Sequence, residues 1–153
     1  MNKEEEIVAI LKADSTLSTI LTGGIYSDSE LGVEGMRRDE EFPTFPAFDG
    51  DGILLPCAVV RQRAVIPTYD VYDLDEKHVS MSQVFEIHYH QFRGHDAIDA
   101  AKEKVFFILL NRRLNGTYPL TCDQETAYFY DVGPVKNSTT VRQDWIVVDI
   151  RKP

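Results

Sequence analysis

The stretch that decides the fold runs from Ser82 to Phe92, Ser-Gln-Val-Phe-Glu-Ile-His-Tyr-His-Gln-Phe, and passes through the polar break Arg93-Gly94-His95 into Asp96. Phe85, Ile87 and Tyr89 alternate with Val84, Glu86, His88 and His90. That period of two marks a strand with one buried face and one mostly polar face. From Asp96 the period changes: Ile98, Ala101, Val105, Ile108 and Leu109 recur at helical spacing, predicting a helix to about Arg113. Phe106, Phe107 and Leu110 widen the stripe until the last turns are apolar nearly all round. Such an end is expected to be buried on more than one side, in the core or against another subunit. Asn115-Gly116 then stops the helix.

Working outward, the N-terminal side opens with an amphipathic helix from Glu4 to Ala13, its stripe Ile7, Ile10 and Leu11, its front acidic and its rear carrying Lys12. Asp14 is placed to cap a second short helix with Leu17, Ile20 and Leu21, stopped by Gly23-Gly24. Residues 28–52 show neither helical nor strand period and read as a long acidic loop insertion. Ile53 to Val65 is strand-like, with Pro56 demoting its start to an edge or a bulge. An acidic turn-rich segment, Pro67 to His78, leads to the central strand. On the C-terminal side, Thr126–Val132 and Val141–Ile150 read as strands joined by a turn. In the last one, Trp145, Val147 and Asp149 alternate with Ile146, Val148 and Ile150. The order α, α, β, β, α, β, β predicts a single α+β domain over residues 1–153: a mainly antiparallel sheet of about four to five strands, with the N-terminal helix and helix 96–113 packed on one face.

The chain has 153 residues and a formal net charge of -9. Residues 1–52 hold 12 acids and 4 bases, whereas residues 53–153 hold 13 and 12, so the excess belongs to the first third. An acidic balance of this kind lacks the footprint of a general nucleic-acid or anionic-membrane binder. Met1-Asn2-Lys3-Glu4-Glu5-Glu6 does not resemble a signal peptide, and no apolar run reaches membrane-spanning length, so a soluble compartment is expected. Cys57 and Cys122 lack neighbouring ligands at zinc spacing and are expected to be free thiols.

Several constellations carry possible chemistry. Glu86, His88 and His90 share one face of a strand, and two imidazoles with a carboxylate are ligand types for a divalent metal. A third and fourth ligand have no position predicted by spacing, so a solvated or interface-facing strand is the preferred reading and no cofactor is expected. Asp49-Gly50-Asp51-Gly52 opens like a calcium loop, but Ile53 and Val60 stand where oxygen ligands are needed, leaving a turn. Serines lack a nucleophile-elbow context and no glycine loop cradles a phosphate, so the chain is not read as an enzyme. The segment Phe42-Pro43-Thr44-Phe45-Pro46-Ala47-Phe48 places three phenylalanines in a proline-stiffened run, which must fold onto its own domain or pack on a neighbour. Phe42, Phe45, Phe48, Phe106, Phe107 and Leu110 are therefore candidates for an assembly interface. The acidic side chains Asp70, Asp73, Asp75 and Glu76 read as a solvated charge run, and Asp39, Glu40 and Glu41 belong to the acidic loop insertion.

The arrangement resembles the small tail terminator and tail-completion proteins of long-tailed bacteriophages. The matching pieces are the opening helix with Leu17-Ser18-Thr19-Ile20-Leu21-Thr22-Gly23-Gly24-Ile25-Tyr26, the strand-to-helix passage Val84 to Leu114 with its break at Arg93-Gly94-His95-Asp96, and the closing strand Trp145 to Ile150. The resemblance rests on element order over most of the chain, and residues 28–52 depart from it as an insertion. It implies a homohexameric ring in the virion neck, made in the host cytoplasm. Such a ring caps the tail tube, joins tail to head, meets tail tube, neck or connector proteins and tail sheath, and inherits no catalytic residue. DNA would pass through without specific binding, and the acidic side chains named above would face the lumen or the outer rim, where like charge prevents sticking. A head-tail connector or stopper protein is the nearest alternative. A small metal-binding domain using His88 and His90 and an acidic decoy module stand as alternatives of other classes.

Overall fold

The computed structural model describes residues 2–31, 38–39, 42–43, 47–68, 79–130 and 137–151. The chain folds as an α+β domain, with the two N-terminal helices and the helix after residue 95 on one face of a six-stranded sheet. Helix α1 spans Lys3–Lys12 and starts on a reciprocal cap: the Glu5 amide donates to Asn2 Oδ1 at 2.8 Å and the Asn2 amide to Glu5 Oε2 at 3.1 Å. Such a box satisfies two amides that the first helical turn otherwise leaves unpaired. Asp14 caps α2 (Ser15–Ile20) as expected, through Leu17 N at 2.8 Å.

A strand follows that the sequence reading did not resolve, β1 (Gly24–Ser27), four residues paired in parallel with the start of a later strand. The preceding Gly23 does more than stop α2. Its amide bonds Pro56 O at 2.8 Å, and a Cβ there would meet Leu55 O at 2.7 Å, so the two backbones touch where only glycine fits. Within 28–52 the described residues form a short helix, α3 (Asp28–Leu31), and a two-residue ribbon, β2 (Arg38–Asp39) with β3 (Phe42–Pro43). That segment is therefore not wholly without regular structure. Asp49 to Gly52 is a turn: Asp49 Oδ1 accepts the Asp51 and Ile53 amides, both at 2.9 Å.

Strands β4 (Cys57–Thr68), β5 (Val79–Phe92) and β8 (Ser138–Arg151) are long and antiparallel and form the centre of the sheet. The order is β1-β4-β5-β8-β6, with β7 also beside β8. Pro56 lies just ahead of β4 rather than inside it, and the irregularity in that strand falls between Gln62 and Ala64. The strand expected at 126–132 is instead β6 (Thr121–Glu125) and the two-residue β7 (Phe129–Tyr130). Helix α4 (Asp96–Leu109) ends four residues earlier than expected, because Leu110 is extended and Asn111 takes φ 62°. Asparagine tolerates that left-handed geometry, and the chain returns as Asn111 N–Leu120 O and Leu120 N–Arg112 O, at 3.0 and 2.7 Å.

The main core lies between sheet and helices. Ile7 and Leu11, Leu17, then Ile98, Ala101, Val105 and Leu109 pack on Val60, Phe85, Ile87, Tyr89, Val141, Trp145 and Val147. In its middle sits a polar hub. Gln143, fully buried, accepts Tyr89 Oη–H and Trp145 Nε1–H on Oε1 at 2.9 and 3.0 Å, and donates from Nε2 to Lys102 O and Glu125 Oε1 at 3.2 and 2.9 Å. Four bonds saturate a primary amide, so one side chain ties α4, β5, β6 and β8 together at no cost in orphaned polar groups.

Candidate assembly interface

The opposite face of the sheet carries Glu86, His88 and His90, and it is not the solvated face the alternation suggested. Glu86 and His90 are buried and His88 is half-buried. A second apolar cluster of Ala47, Leu54, Cys57 and Val59, with Tyr26, Leu31, Phe48 and Phe92 against it, covers the end of the sheet near His90. Ala47 is fully buried and its carbonyl accepts the Leu55 amide at 2.9 Å. The C-terminal end of the phenylalanine and proline segment therefore folds onto its own domain, and Phe48 belongs with that cluster more than with a free surface.

Beyond this cluster the face becomes a lattice of ions. Arg63 approaches Glu86 and Asp144 at 3.5 and 3.8 Å, and Arg142 approaches the same two at 3.6 and 3.0 Å. Gln124 adds a donor to Asp144 at 2.7 Å, and Arg61 reaches Asp28 at 3.2 Å. Asp144 is 1% exposed, and a buried carboxylate persists only when paired in this way. Burial pushes the Glu86 carboxyl up, but the His88 hydrogen bond and the charges of His88, Arg142 and Arg63 outweigh it and leave it below the usual range. His88 Nε2 lies 2.9 Å from Glu86 Oε2, and burial holds the ring below its ordinary pKa despite that partner. His90 is bonded through Nδ1 to Thr140 Oγ1 at 2.8 Å, and burial, with His88 and Arg61 adding to it, pushes it down to about 3. Both imidazoles are therefore neutral at pH 7. Their rings stack 6.3 Å apart, and no group of three His, Cys, Asp or Glu side chains placed to hold a metal ion occurs among the described residues.

Of the two places expected to cover the end of α4, the chain's own core covers only one side of it. Phe106 packs on Trp145 with ring centroids 5.9 Å apart, but Phe107 is 69% exposed and Leu110 is exposed too. The helix is thus buried on one side only, and its second apolar side faces outward. Phe107 borders a groove with Phe106, Lys102, Glu125 and Tyr128, next to the exposed Phe129 and Tyr130 of β7. Of the remaining expected residues, Phe42 and Asp39 lie in the small ribbon, where only the backbone is described. Phe45, Glu40, Glu41, Asp70, Asp73, Asp75 and Glu76 lie outside the described residues.

The sequence reading missed three kinds of surface residue: Arg63 and Arg142 on the ion lattice, the exposed pair Val65 and Ile66 on β4, and Tyr118, Phe129 and Tyr130 along the far side of β8. Tyr128-Phe129-Tyr130 is an aromatic run within the strand expected over Thr126–Val132.

No family model and no curated protein matches the chain. Among solved structures, it is similar to a chain in one described as the virion of a native gene transfer agent particle. The TM-score is 0.57 at 12% identity, over 93% of this chain and 90% of that one. The likeness is one of fold. No described helix is long and apolar enough to cross a membrane.

Proposed function

We propose that this protein is a non-enzymatic structural subunit of a phage-like virion, a tail terminator that forms a homohexameric ring, caps the tail tube and joins tail to head or neck. The observation that carries the reading is the likeness over nearly the whole length of both chains to a component of a gene transfer agent virion. The surface supports it: among the described residues, exposed large apolar side chains lie along the sheet's margins (Val65, Ile66, Tyr118, Phe129, Tyr130) and at the end of α4 (Phe107, Leu110), the form of a contact surface. On this reading the partners are further copies of the chain, tail tube protein, neck or connector protein, and tail sheath. DNA passes through the ring without being bound, and the acidic segments around Asp39 to Glu41 and Asp70 to Glu76 line the lumen or rim. The protein acts in the virion tail or neck after synthesis in the host cytoplasm. A head-tail stopper or connector shares these surfaces and differs in its partner.

Light-scattering mass and negative-stain imaging of the purified protein, alone and with tail tube protein, test the proposal. Rings of uniform diameter on tube ends are the expected result. A strict monomer that never decorates tube ends refutes it, and rings that bind portal or connector protein but not tubes transfer the assignment to the stopper.

A further inference from the structure

Of the four asparagines, only Asn115 precedes a glycine. The pair Asn115-Gly116 lies in the connection from α4 to β6, and both residues are exposed. Thr117 N donates to Leu114 O at 3.1 Å and Thr117 Oγ1 accepts the Leu114 amide at 3.1 Å, so the turn closes around the pair and not through it. Gly116 holds φ 75°, and a Cβ there would meet nothing within 4 Å. Among the described residues, neither the Gly116 amide nor the Asn115 side-chain amide has a hydrogen-bond partner. By contrast, the Arg112 amide that follows Asn111 is held by Leu109 O at 2.9 Å. The backbone of Asn115 is also where this turn meets α1. Its amide donates to Glu6 Oε2 at 2.9 Å, its carbonyl accepts Lys3 Nζ, and Lys3 and Glu6 pair with each other at 3.5 Å.

We propose that Asn115-Gly116 is a site of spontaneous deamidation, and that the product loosens the seat of α1. Glycine leaves its own amide nitrogen unhindered in approaching the asparagine side chain before it, and a nitrogen bound to no acceptor is free to react. Base removes the Gly116 amide proton, the nitrogen bonds to Asn115 Cγ, and the Cγ–Nδ2 bond breaks, Nδ2 taking up a proton and leaving as ammonia. Water then opens the cyclic imide at either carbonyl. One opening leaves aspartate. The other leaves isoaspartate, in which the chain runs through Cβ and Cγ and the former main-chain carbonyl is a carboxylate. Either product places a new negative charge beside Glu6, which it repels. The Lys3 and Glu6 side chains are 23% and 18% exposed, so salt screens that repulsion less than at an open surface. Isoaspartate also lengthens the backbone inside the turn that Thr117 and Leu114 close. Such ageing is a property of the chain itself and does not rest on the ring reading.

The test is incubation of the full chain at mildly alkaline pH, folded and in urea, with residue 115 followed by peptide mass spectrometry and isoaspartate by its specific methyltransferase. The folded chain should lose the Asn115 amide at a rate within ~3-fold of the unfolded chain, while Asn111 persists in the folded chain. Asn115→Gln and Gly116→Ala should each slow the reaction at this site by ~10-fold or more. Stronger protection of Asn115 in the folded chain would show that the turn shields the pair, and would overturn the site. Anion exchange separates the aged fraction by its added charge. That fraction should unfold at a lower urea concentration than fresh protein, as should Asn115→Asp, which carries the aspartate product alone. Unchanged midpoints in both would overturn the loosening of α1.

Discussion

Replacing Gln143 by leucine tests whether the polar hub, rather than the apolar packing around it, fixes how helix and sheet meet. Leucine keeps the volume but removes both acceptor positions used by Tyr89 Oη and Trp145 Nε1, which belong to fully buried side chains. A buried donor left without a partner costs ~1–3 kcal/mol, so two cost ~2–6 kcal/mol. The groups on the other side of the amide, Lys102 O and Glu125 Oε1, belong to half-buried and exposed residues and regain water. A net loss of ~2–5 kcal/mol follows, a fall in Tm of ~5–20 °C for a domain of this size. Urea denaturation followed by Trp145 fluorescence measures it. The decisive feature is a change of sign. Tyr89→Phe alone removes one good hydrogen bond and costs ~1 kcal/mol, whereas in the Gln143→Leu background it removes an orphan and stabilises by a similar amount. If Gln143→Leu melts within ~0.5 kcal/mol of wild type, or Tyr89→Phe destabilises both backgrounds equally, the hub is not satisfied as described and the reasoning fails.

Three further outcomes are expected. Gln91→Ala should cost ~1–2 kcal/mol, because Gln91 Oε1 accepts the Ala97 and Ile98 amides at 3.1 and 3.2 Å and caps α4 in place of His95, whose side chain makes no cap; unchanged stability and helix content would refute this. His90 remains neutral in the folded chain down to about pH 3, while the unfolded chain binds the proton near pH 6.5. The unfolded state then gains protons as pH falls, so stability drops from pH 6.5 downward and the slope should flatten in His90→Gln, measured by urea midpoints between pH 7 and 5; equal slopes would show that His90 does not drive it. Burial pushes the Cys57 thiol up to about 12 and, with nearby carboxylates, Cys122 up to about 11. Ellman's reagent at pH 8 should therefore label Cys57 only as the protein unfolds, and rapid labelling of native Cys57 would contradict its burial.

Where local pattern and final structure agree, the reason is that the pattern is itself the burial. Phe85, Ile87 and Tyr89 face the helices because period two leaves one side apolar, and Ile98, Ala101, Val105 and Leu109 face the sheet because their spacing follows the helical turn. The α+β class and the antiparallel centre of the sheet follow from those stripes and their order. Asn2 and Asp14 capped helices within three residues of themselves, so Asp14 was readable and Asn2 could have been.

What only the tertiary structure decided depends on partners distant in the chain. Glu86, His88 and His90 alternate like surface residues, yet arginines from β4 and β8 and a loop cluster around Ala47 and Leu54 bury that face, turning a seeming solvent face into an ion lattice. Gln91 caps a helix it does not belong to, and β1 is too short to show a period but is held by parallel pairing with β4. The outward turn of Phe107 depends on where α4 sits, not on its sequence. Sequence alone therefore determined which faces are apolar, because burial free energy is additive in local composition. Which polar groups are buried, and which apolar ones stay uncovered at the sheet margins, was decided by contacts between separate elements, such as Arg142 with Glu86 and Gln143 with Tyr89. Those contacts leave no imprint on any local window.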